Sequence, residues 1–332
     1  MVAAADPAVT GKEPVKHMRI VFMGYQTWGH RVLEALLNSE HEVPLVITHP
    51  TSDHVYETIW NDSVVDLARA HGVPVLERKY ANDDEVADRL RELAPDLLVS
   101  SDWRSWVAPR IYDLAKYGAI NVHDALLPRY GGFAPLNWAL VNGESEVGVT
   151  AHFMNEDFDL GDIVVQKRVA VEDKDTVTDL FHKTVELFVP VTLEAIDLIG
   201  SGRTEWTKQD PTEATFFHKR SVEDSRIDWT WSAQDISNLA RAQVDPYPNA
   251  FAYFKGQRVR ILSASVSRAR LGGTVGRVFR PEGEGVAVVC GPDARRGTER
   301  GLVIERLRTD DGTEYRGIDF FTTMGGYLTR HP

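Results

Sequence analysis

The chain has 332 residues, 43% of them hydrophobic, and a formal net charge of −12. That length suits two domains, and the acidic balance argues against a partner held mainly through phosphates, because such binding leans on clustered Lys and Arg. The single cysteine, Cys290, rules out an intramolecular disulfide and a Cys-based zinc site. No apolar window is long enough for a membrane span, so a protein of a reducing cytoplasm, with no membrane partner, is expected.

Residues 1–17 lack the apolar centre of a signal peptide and are expected to form a disordered extension, the fold starting near Met18. Residues 19–24 form a short apolar run ending in Gly24, which suits a buried parallel strand. Val32, Leu33, Leu36 and Leu37 recur at helical spacing and predict a helix over 28–38. Further strands are expected at 43–48, 73–76 and 96–100. Helices are expected at 62–71, closed by Gly72, and at 83–93, whose acidic first turn suits the macrodipole. This alternation predicts an α/β domain built on a Rossmann-like, doubly wound, mainly parallel sheet. The first strand–helix turn, Gly24-Tyr-Gln-Thr-Trp-Gly29, does not fit Gly-x-Gly-x-x-Gly. A scaffold without a bound dinucleotide is therefore expected.

Beyond a stretch at 118–162 that carries the chemistry, a strand is expected over 162–171 and an amphipathic helix over 175–200. Residues 203–228 read as a linker, and 233–243 as a helix leading to a rigid turn around Pro246 and Pro248. Short β runs then follow at 252–254, 259–263, 273–279, 286–290 and 302–307, the signature of an antiparallel barrel or sandwich. The expected organisation is an N-terminal catalytic domain over 18–202, the linker, and a smaller β-rich, barrel-like domain over 229–332.

The stretch 118–162 holds Asn121 and His123, then Leu126-Leu127-Pro128, a loop around Gly131 and Gly132, and Asp159 in Asp-x-Gly. Residues two apart at the end of a strand project to one face, and strand C-termini are where open α/β sheets bind ligands. An amide and an imidazole can thus share one pocket, with Asp159 returning beside His123. For acyl transfer to an amine, a neutral imidazole takes the proton and the Asn amide stabilises the charge growing on the carbonyl oxygen. The carboxylate raises the basicity of the imidazole. Taken singly, Asn-x-His and Asp-x-Gly are common patterns. Asp124 and His152 lie near enough to suggest a metal site, but no His-x-x-x-His pair supports one, and no metal is expected.

The run Asn121-Val-His123-Asp-Ala-Leu-Leu-Pro128-Arg-Tyr-Gly131-Gly-Phe-Ala-Pro135, with Asp159-Leu-Gly161-Asp-Ile, resembles the signature of enzymes that use 10-formyltetrahydrofolate. These include the methionyl-tRNA, glycinamide ribonucleotide and aminosugar formyltransferases. The resemblance implies a formyltransferase fold and an Asn/His/Asp triad at Asn121, His123 and Asp159. It implies 10-formyltetrahydrofolate as co-substrate, lying against Ser105, Trp106 and Val107 and against Asn155, Glu156, Asp157 and Phe158. The runs from Phe217 to Trp229 and from Asn238 to Phe251 resemble the linker and C-terminal domain of the tRNA and aminoarabinose enzymes.

The acceptor is narrowed by departures from those relatives. The loop 49–60 has no Lys or Arg where the tRNA enzyme is basic, and Phe133 stands where the family usually has Arg. The N-terminal stretch most resembles bacterial formyltransferases acting on the side-chain hydroxylamine of hydroxyornithine in hydroxamate siderophore biosynthesis. A small-molecule amine or hydroxylamine is therefore the expected partner, with hydroxyornithine first, an aminosugar nucleotide second and initiator tRNA third.

Overall fold

Residues 19–24 alternate between two destinations, and that alternation organises the sheet. In the computed structural model, which describes residues 17–54 and 58–332, Ile20 and Phe22 pack with Val32, Leu33 and Phe188, while Val21 and Met23 pack with Val86, Leu90 and Ile111. A strand buried on both faces needs apolar side chains at odd and even positions alike, as this run supplies. Each such side chain contributes about 1.5–3 kcal/mol on burial. Residues 1–16, which carry most of the expected N-terminal extension, and 55–57, within the loop 49–60, lie outside the described residues.

The chain divides into two compact units. The first runs to Gly131 and adds Gly148–Arg168 and Val185–Ala214; the second comprises Gly132–Val147, Val169–Thr184 and Thr215–Pro332. In chain order the elements begin β1 (Arg19–Gly24), α1 (Gln26–Leu37), β2 (Glu42–Thr48), α2 (Val64–Ala70), β3 (Val75–Glu77), α3 (Asp84–Leu93), β4 (Leu97–Ser101), α4 (Pro109–Tyr112) and β5 (Ala119–His123). There follow β6 (Gly131–Gly132), α5 (Pro135–Val141), β7 (Glu146–Phe153), β8 (Ile163–Ala170) and α6 (Val177–Gly200).

The sheet of the first unit has the order β3-β2-β1-β4-β5-β7-β8. The pairs β1–β2, β2–β3, β1–β4 and β4–β5 are parallel, and β5–β7 is antiparallel. Strand order reverses between β1 and β4, so the chain leaves these neighbours toward opposite sides and opens a crevice at their C-terminal ends. The glycines of the first turn have a packing role. A Cβ on Gly29 would lie 2.9 Å from the carbonyl carbon of Gly24, so α1 can start this close to β1 only without a side chain there.

The second unit contains β9 (Phe216–Phe217), α7 (Ala233–Arg241), β10 (Ala250–Phe254), β11 (Gln257–Arg270), β12 (Val278–Glu282), β13 (Gly285–Val288), β14 (Arg300–Thr309), β15 (Glu314–Arg316), α8 (Gly317–Phe320) and β16 (Leu328–Thr329). Its antiparallel sheet runs β12-β13-β14-β11-β10-β16, with β15 on β14. The two ends meet. Val278 donates its N–H to the Gly326 carbonyl at 2.9 Å, and Leu328 donates to the Gly276 carbonyl at 2.8 Å. The sheet thereby closes as the barrel expected from its short β runs, which removes open edges. Ile236 and Leu239 of α7 join its core with Cys290.

Two stretches differ from their sequence reading. The run expected at 273–279 becomes a strand only from Val278, because Gly273 and Gly276 take φ of 130° and 79°, outside any strand. The run expected at 259–263 extends to Arg270, through register shifts that break its alternation. Residues 203–228 carry structure of their own: Thr207 bridges Ile163, and Ser221 and Asp224 form a capping box on a short 3-10 turn.

Candidate active site

Ile120 and Val122 of β5 pack into the core on the α6 side. Strand alternation therefore aims Asn121 and His123 together at the opposite face, at the strand's C-terminal end. The antiparallel neighbour β7 sets His152 opposite Asn121 and Thr150 opposite His123. Directly opposed residues on one face are in side-chain contact range, and Asn121 Nδ2 donates to His152 Nε2 at 3.4 Å.

His152 joins two of the sequence-predicted residues. Its Nδ1–H donates to the Phe153 carbonyl at 2.9 Å, which leaves Nε2 to accept from Asn121 when the ring is neutral. Asp159 Oδ1 lies 3.6 Å from the same Nε2. Asn121, His152 and Asp159 thus form one polar chain, buried at His152 and partly exposed at its two ends. The sequence reading named His152 only as a neighbour. The signal that marks it is a pair of polar residues, Thr150 and His152, at strand period in the apolar run 147–153.

Thr150 braces the turn after His123. Its hydroxyl donates to the Ala125 carbonyl at 2.6 Å, and Gln166 Nε2 donates both to that hydroxyl and to the Leu127 carbonyl at 2.9 Å. The turn brings the Tyr130 carbonyl within 3.0 Å of His123 Nε2, a bond that only an N–H can make. In the neutral ring the lone pair is therefore on Nδ1. Burial alone would lower the affinity of this imidazole for a proton. The charges of Asp159 and Asp124, the Tyr130 carbonyl and the charge of Asp102 outweigh it, and the His123 pKa is raised above its ordinary value. Burial likewise pushes the neighbouring Asp124 carboxyl upward, against the opposing pull of His123.

Asp159 is aimed by its turn. Its φ is 55°, in the left-handed region that non-glycine residues enter rarely. Gly161 closes the turn against β7, where a Cβ would lie 1.7 Å from the Phe153 carbonyl oxygen. Gln209 Nε2 holds the turn from outside, donating to the carbonyls of Asp159 at 2.9 Å and Gly161 at 2.7 Å. Gln209, in the stretch read as a linker, is a second residue that sequence reasoning did not single out; no local pattern marks it.

The two segments that the resemblance assigned to the folate carry exposed aromatics. Trp106 is 48% and Phe158 42% exposed, while Val107 is buried. Ser105 Oγ is buried with no hydrogen-bond partner among the described residues. Asn82 fixes this backbone by donating to the Trp106 carbonyl at 2.8 Å and accepting from the Ala108 N–H at 2.7 Å. Asn155 Oδ1 accepts from the Asp157 N–H at 3.0 Å, and Glu156 is exposed. Among the described residues no group of three or more His, Cys, Asp or Glu side chains could hold a metal ion. Burial pushes the Cys290 thiol up to about 12, so it stays protonated and unreactive near neutral pH.

Residues 18–196 match the formyl transferase family, and residues 219–325 match the formyl transferase C-terminal domain. The chain is 33% identical over 312 residues to a methionyl-tRNA formyltransferase of Geotalea uraniireducens (strain Rf4), covering 93% of this chain and 95% of that protein. Among solved structures it is similar to an N-formyltransferase from Helicobacter canadensis in complex with folinic acid and dTDP-3-aminofucose. That match has 18% identity and a TM-score of 0.64, and covers 90% of this chain and 100% of the other. It is also similar to HypX from Aquifex aeolicus in complex with tetrahydrofolic acid, at 20% identity and a TM-score of 0.56, spanning 92% of this chain but only 47% of HypX. At those identities the two structures speak for the fold. Family match, full-length relative and fold agree, and the chain belongs to the formyl transferase family and is a formyltransferase.

Proposed function

We propose that the protein transfers a formyl group from 10-formyltetrahydrofolate to the side-chain hydroxylamine nitrogen of hydroxyornithine, in hydroxamate siderophore biosynthesis, with Asn121, His123 and Asp159 as the catalytic residues. The observation that carries the chemistry is an amide and a buried imidazole of raised pKa at the C-terminal end of β5, with a partly buried carboxylate whose charge acts on that imidazole. Bound 10-formyltetrahydrofolate supplies the activated formyl group. Its fit is supported by Trp106 and Phe158, exposed apolar surface on two separate segments, and by the orphaned hydroxyl of Ser105.

Hydrogen bonds and charge support a role for each. Asn121 has two amide N–H donors; one is directed at His152, and the other is available to the formyl oxygen as negative charge grows there. His123 Nδ1 receives the proton of the attacking nitrogen, while Nε2–H stays anchored on the Tyr130 carbonyl. Asp159 favours the charged imidazole and so stabilises the state in which that proton has been taken. The acceptor attacks directly, with no covalent enzyme intermediate.

The choice of acceptor is supported by charge. A nucleotide sugar or tRNA brings phosphates that need cationic partners. The chain has a net charge of −12, the loop 49–60 has no Lys or Arg, and Phe133 stands in place of the family's usual Arg. In the barrel, Arg258, Arg260, Arg306, Arg308 and Arg316 are each paired with a carboxylate, which offsets their charge. A hydroxylamine also suits the site, because it is largely neutral at pH 7 and attacks without prior loss of a proton.

With 10-formyltetrahydrofolate and Nδ-hydroxyornithine, His123→Ala is expected to lower kcat by about 10²–10⁴-fold and Asn121→Ala by about 10²–10³-fold. The thermal transition should remain cooperative in both. Folded variants that turn over near the wild-type rate would contradict the assignment.

A further inference from the structure

A second concentration of polar side chains lies in the first unit, where strand order reverses. Tyr25 and Gln26 follow β1, His49 follows β2, and Asp102, Trp103 and Arg104 follow β4. Arg104 Nη2 donates to Asp102 Oδ2 at 3.3 Å and to Oε1 of Gln26. Its guanidinium lies over the Tyr25 ring, 5.1 Å from the centroid, and its backbone N–H donates to His49 Nε2 at 3.1 Å. His49 stacks on Trp103 with centroids 4.0 Å apart and donates Nδ1–H to the Arg78 carbonyl at 3.1 Å.

Stability alone does not account for this cluster. Gln26 is 1% exposed, and the side chains of Arg104 and Asp102 are 24% and 23% exposed. Taking an ion pair this far out of water brings little net stabilisation. Gln26 and Asp102 also sit at φ of 52° and 55° at the ends of two adjacent strands, a conformation that costs free energy in non-glycine residues. Strained backbone at the ligand-binding edge of a doubly wound sheet points to a function. The cluster acts electrostatically on the catalytic centre: Asp102 is among the charges that raise His123, and Arg104 among those that lower Asp124.

The charges define the ligand. The Asp102–Arg104 pair offers one negative and one positive group, against an aromatic wall, with no excess of either sign. A polyphosphate would find no surplus of positive charge. A zwitterion finds a match for both of its ends: a guanidinium fork recognises a carboxylate in a bidentate way, and a carboxylate recognises an ammonium. At 3.3 Å the internal bond is longer than a tight charge-assisted bond of about 2.7–2.9 Å.

We propose that Asp102 and Arg104, braced by Gln26, form a subsite for the α-ammonium and α-carboxylate of the formyl acceptor, making these residues the determinants that select a free amino acid. This rests on formyl transfer to a hydroxylamine as proposed above and adds the element that distinguishes one hydroxylamine from another.

Three probes separate the two ideas: Nδ-hydroxyornithine, its α-carboxamide, and N-butylhydroxylamine, which has no head group. Each is assayed by tetrahydrofolate release with the wild type and with Arg104→Gln, Arg104→Lys and Asp102→Asn. In the wild type, kcat/KM should fall by about 10–100-fold from the acid to the carboxamide. In Arg104→Gln that ratio should collapse toward one, with Arg104→Lys intermediate and KM for 10-formyltetrahydrofolate unchanged. Asp102→Asn should raise KM for the two probes that carry an α-ammonium and leave KM for N-butylhydroxylamine unchanged. Turnover of N-butylhydroxylamine with an acid-to-carboxamide ratio that Arg104→Gln leaves intact would overturn the subsite while the reaction stands. No turnover of any hydroxylamine would overturn both.

Discussion

Asp159 bears on His123 from a separate segment of the chain. Its backbone is in the left-handed region, its turn closes on Gly161, and its charge helps hold the His123 pKa above the ordinary imidazole value of about 6.5. The base must be neutral to accept a proton, so activity should rise with pH through the raised His123 pKa. Asp159→Asn removes an opposing charge and leaves burial, which lowers the pKa, less opposed. The acid limb of kcat/KM against pH should therefore move to lower pH in this variant, as the maximum itself falls. A limb at the wild-type position would show that Asp159 does not act on the base. Asn121, His123 and Asp159 could be picked out in the sequence because each type has a known task at a strand end. His152 could not, since its role depends on which residue of β7 faces Asn121. That is fixed by antiparallel pairing across 31 positions, and nothing local encodes it.

At the scale of elements, the first unit follows its sequence closely because local signals and packing agree. Apolar runs became parallel strands, and the acidic, capped start of α3 lies where Asp83 accepts from the Val86 N–H at 2.9 Å. The other end of α3 departs from preference: Ala94 takes φ of 44° and ψ of 60°, a position that favours glycine. Ala94→Gly should therefore raise stability by about 1 kcal/mol, the relief of the left-handed Cβ contact outweighing the added chain entropy. Reversible thermal or urea unfolding measures it, and a lower midpoint would contradict the cap assignment. In the barrel the strands were legible as a class but less so in extent. β11 continues past the residues that alternate cleanly, through bulges and into Ser267, Arg268 and Arg270. Such a strand is specified by its partner β14, more than by its own pattern.

At the scale of the whole molecule, fold and reaction class could both be read from the sequence. Alternating strands and helices dictated the sheet, and a short motif carried the family. The acceptor is less legible, because the subsite proposed for it gathers side chains from two strand ends, Asp102 and Arg104 after β4, braced by Gln26 after β1. Their adjacency comes from the reversal of strand order between β1 and β4, a property of topology. The relatives differ, a methionyl-tRNA formyltransferase at 33% identity and, at 18%, an N-formyltransferase in complex with dTDP-3-aminofucose, so the family match by itself leaves the acceptor open. Net charge and the Asp102–Arg104 pair both favour a small zwitterion. The most direct test is the rate of tetrahydrofolate release from 10-formyltetrahydrofolate with Nδ-hydroxyornithine, ornithine, a dTDP-aminosugar and methionyl-tRNA in parallel. The account predicts the highest kcat/KM for Nδ-hydroxyornithine, and equal or faster turnover of the aminosugar nucleotide or the aminoacyl-tRNA would contradict it.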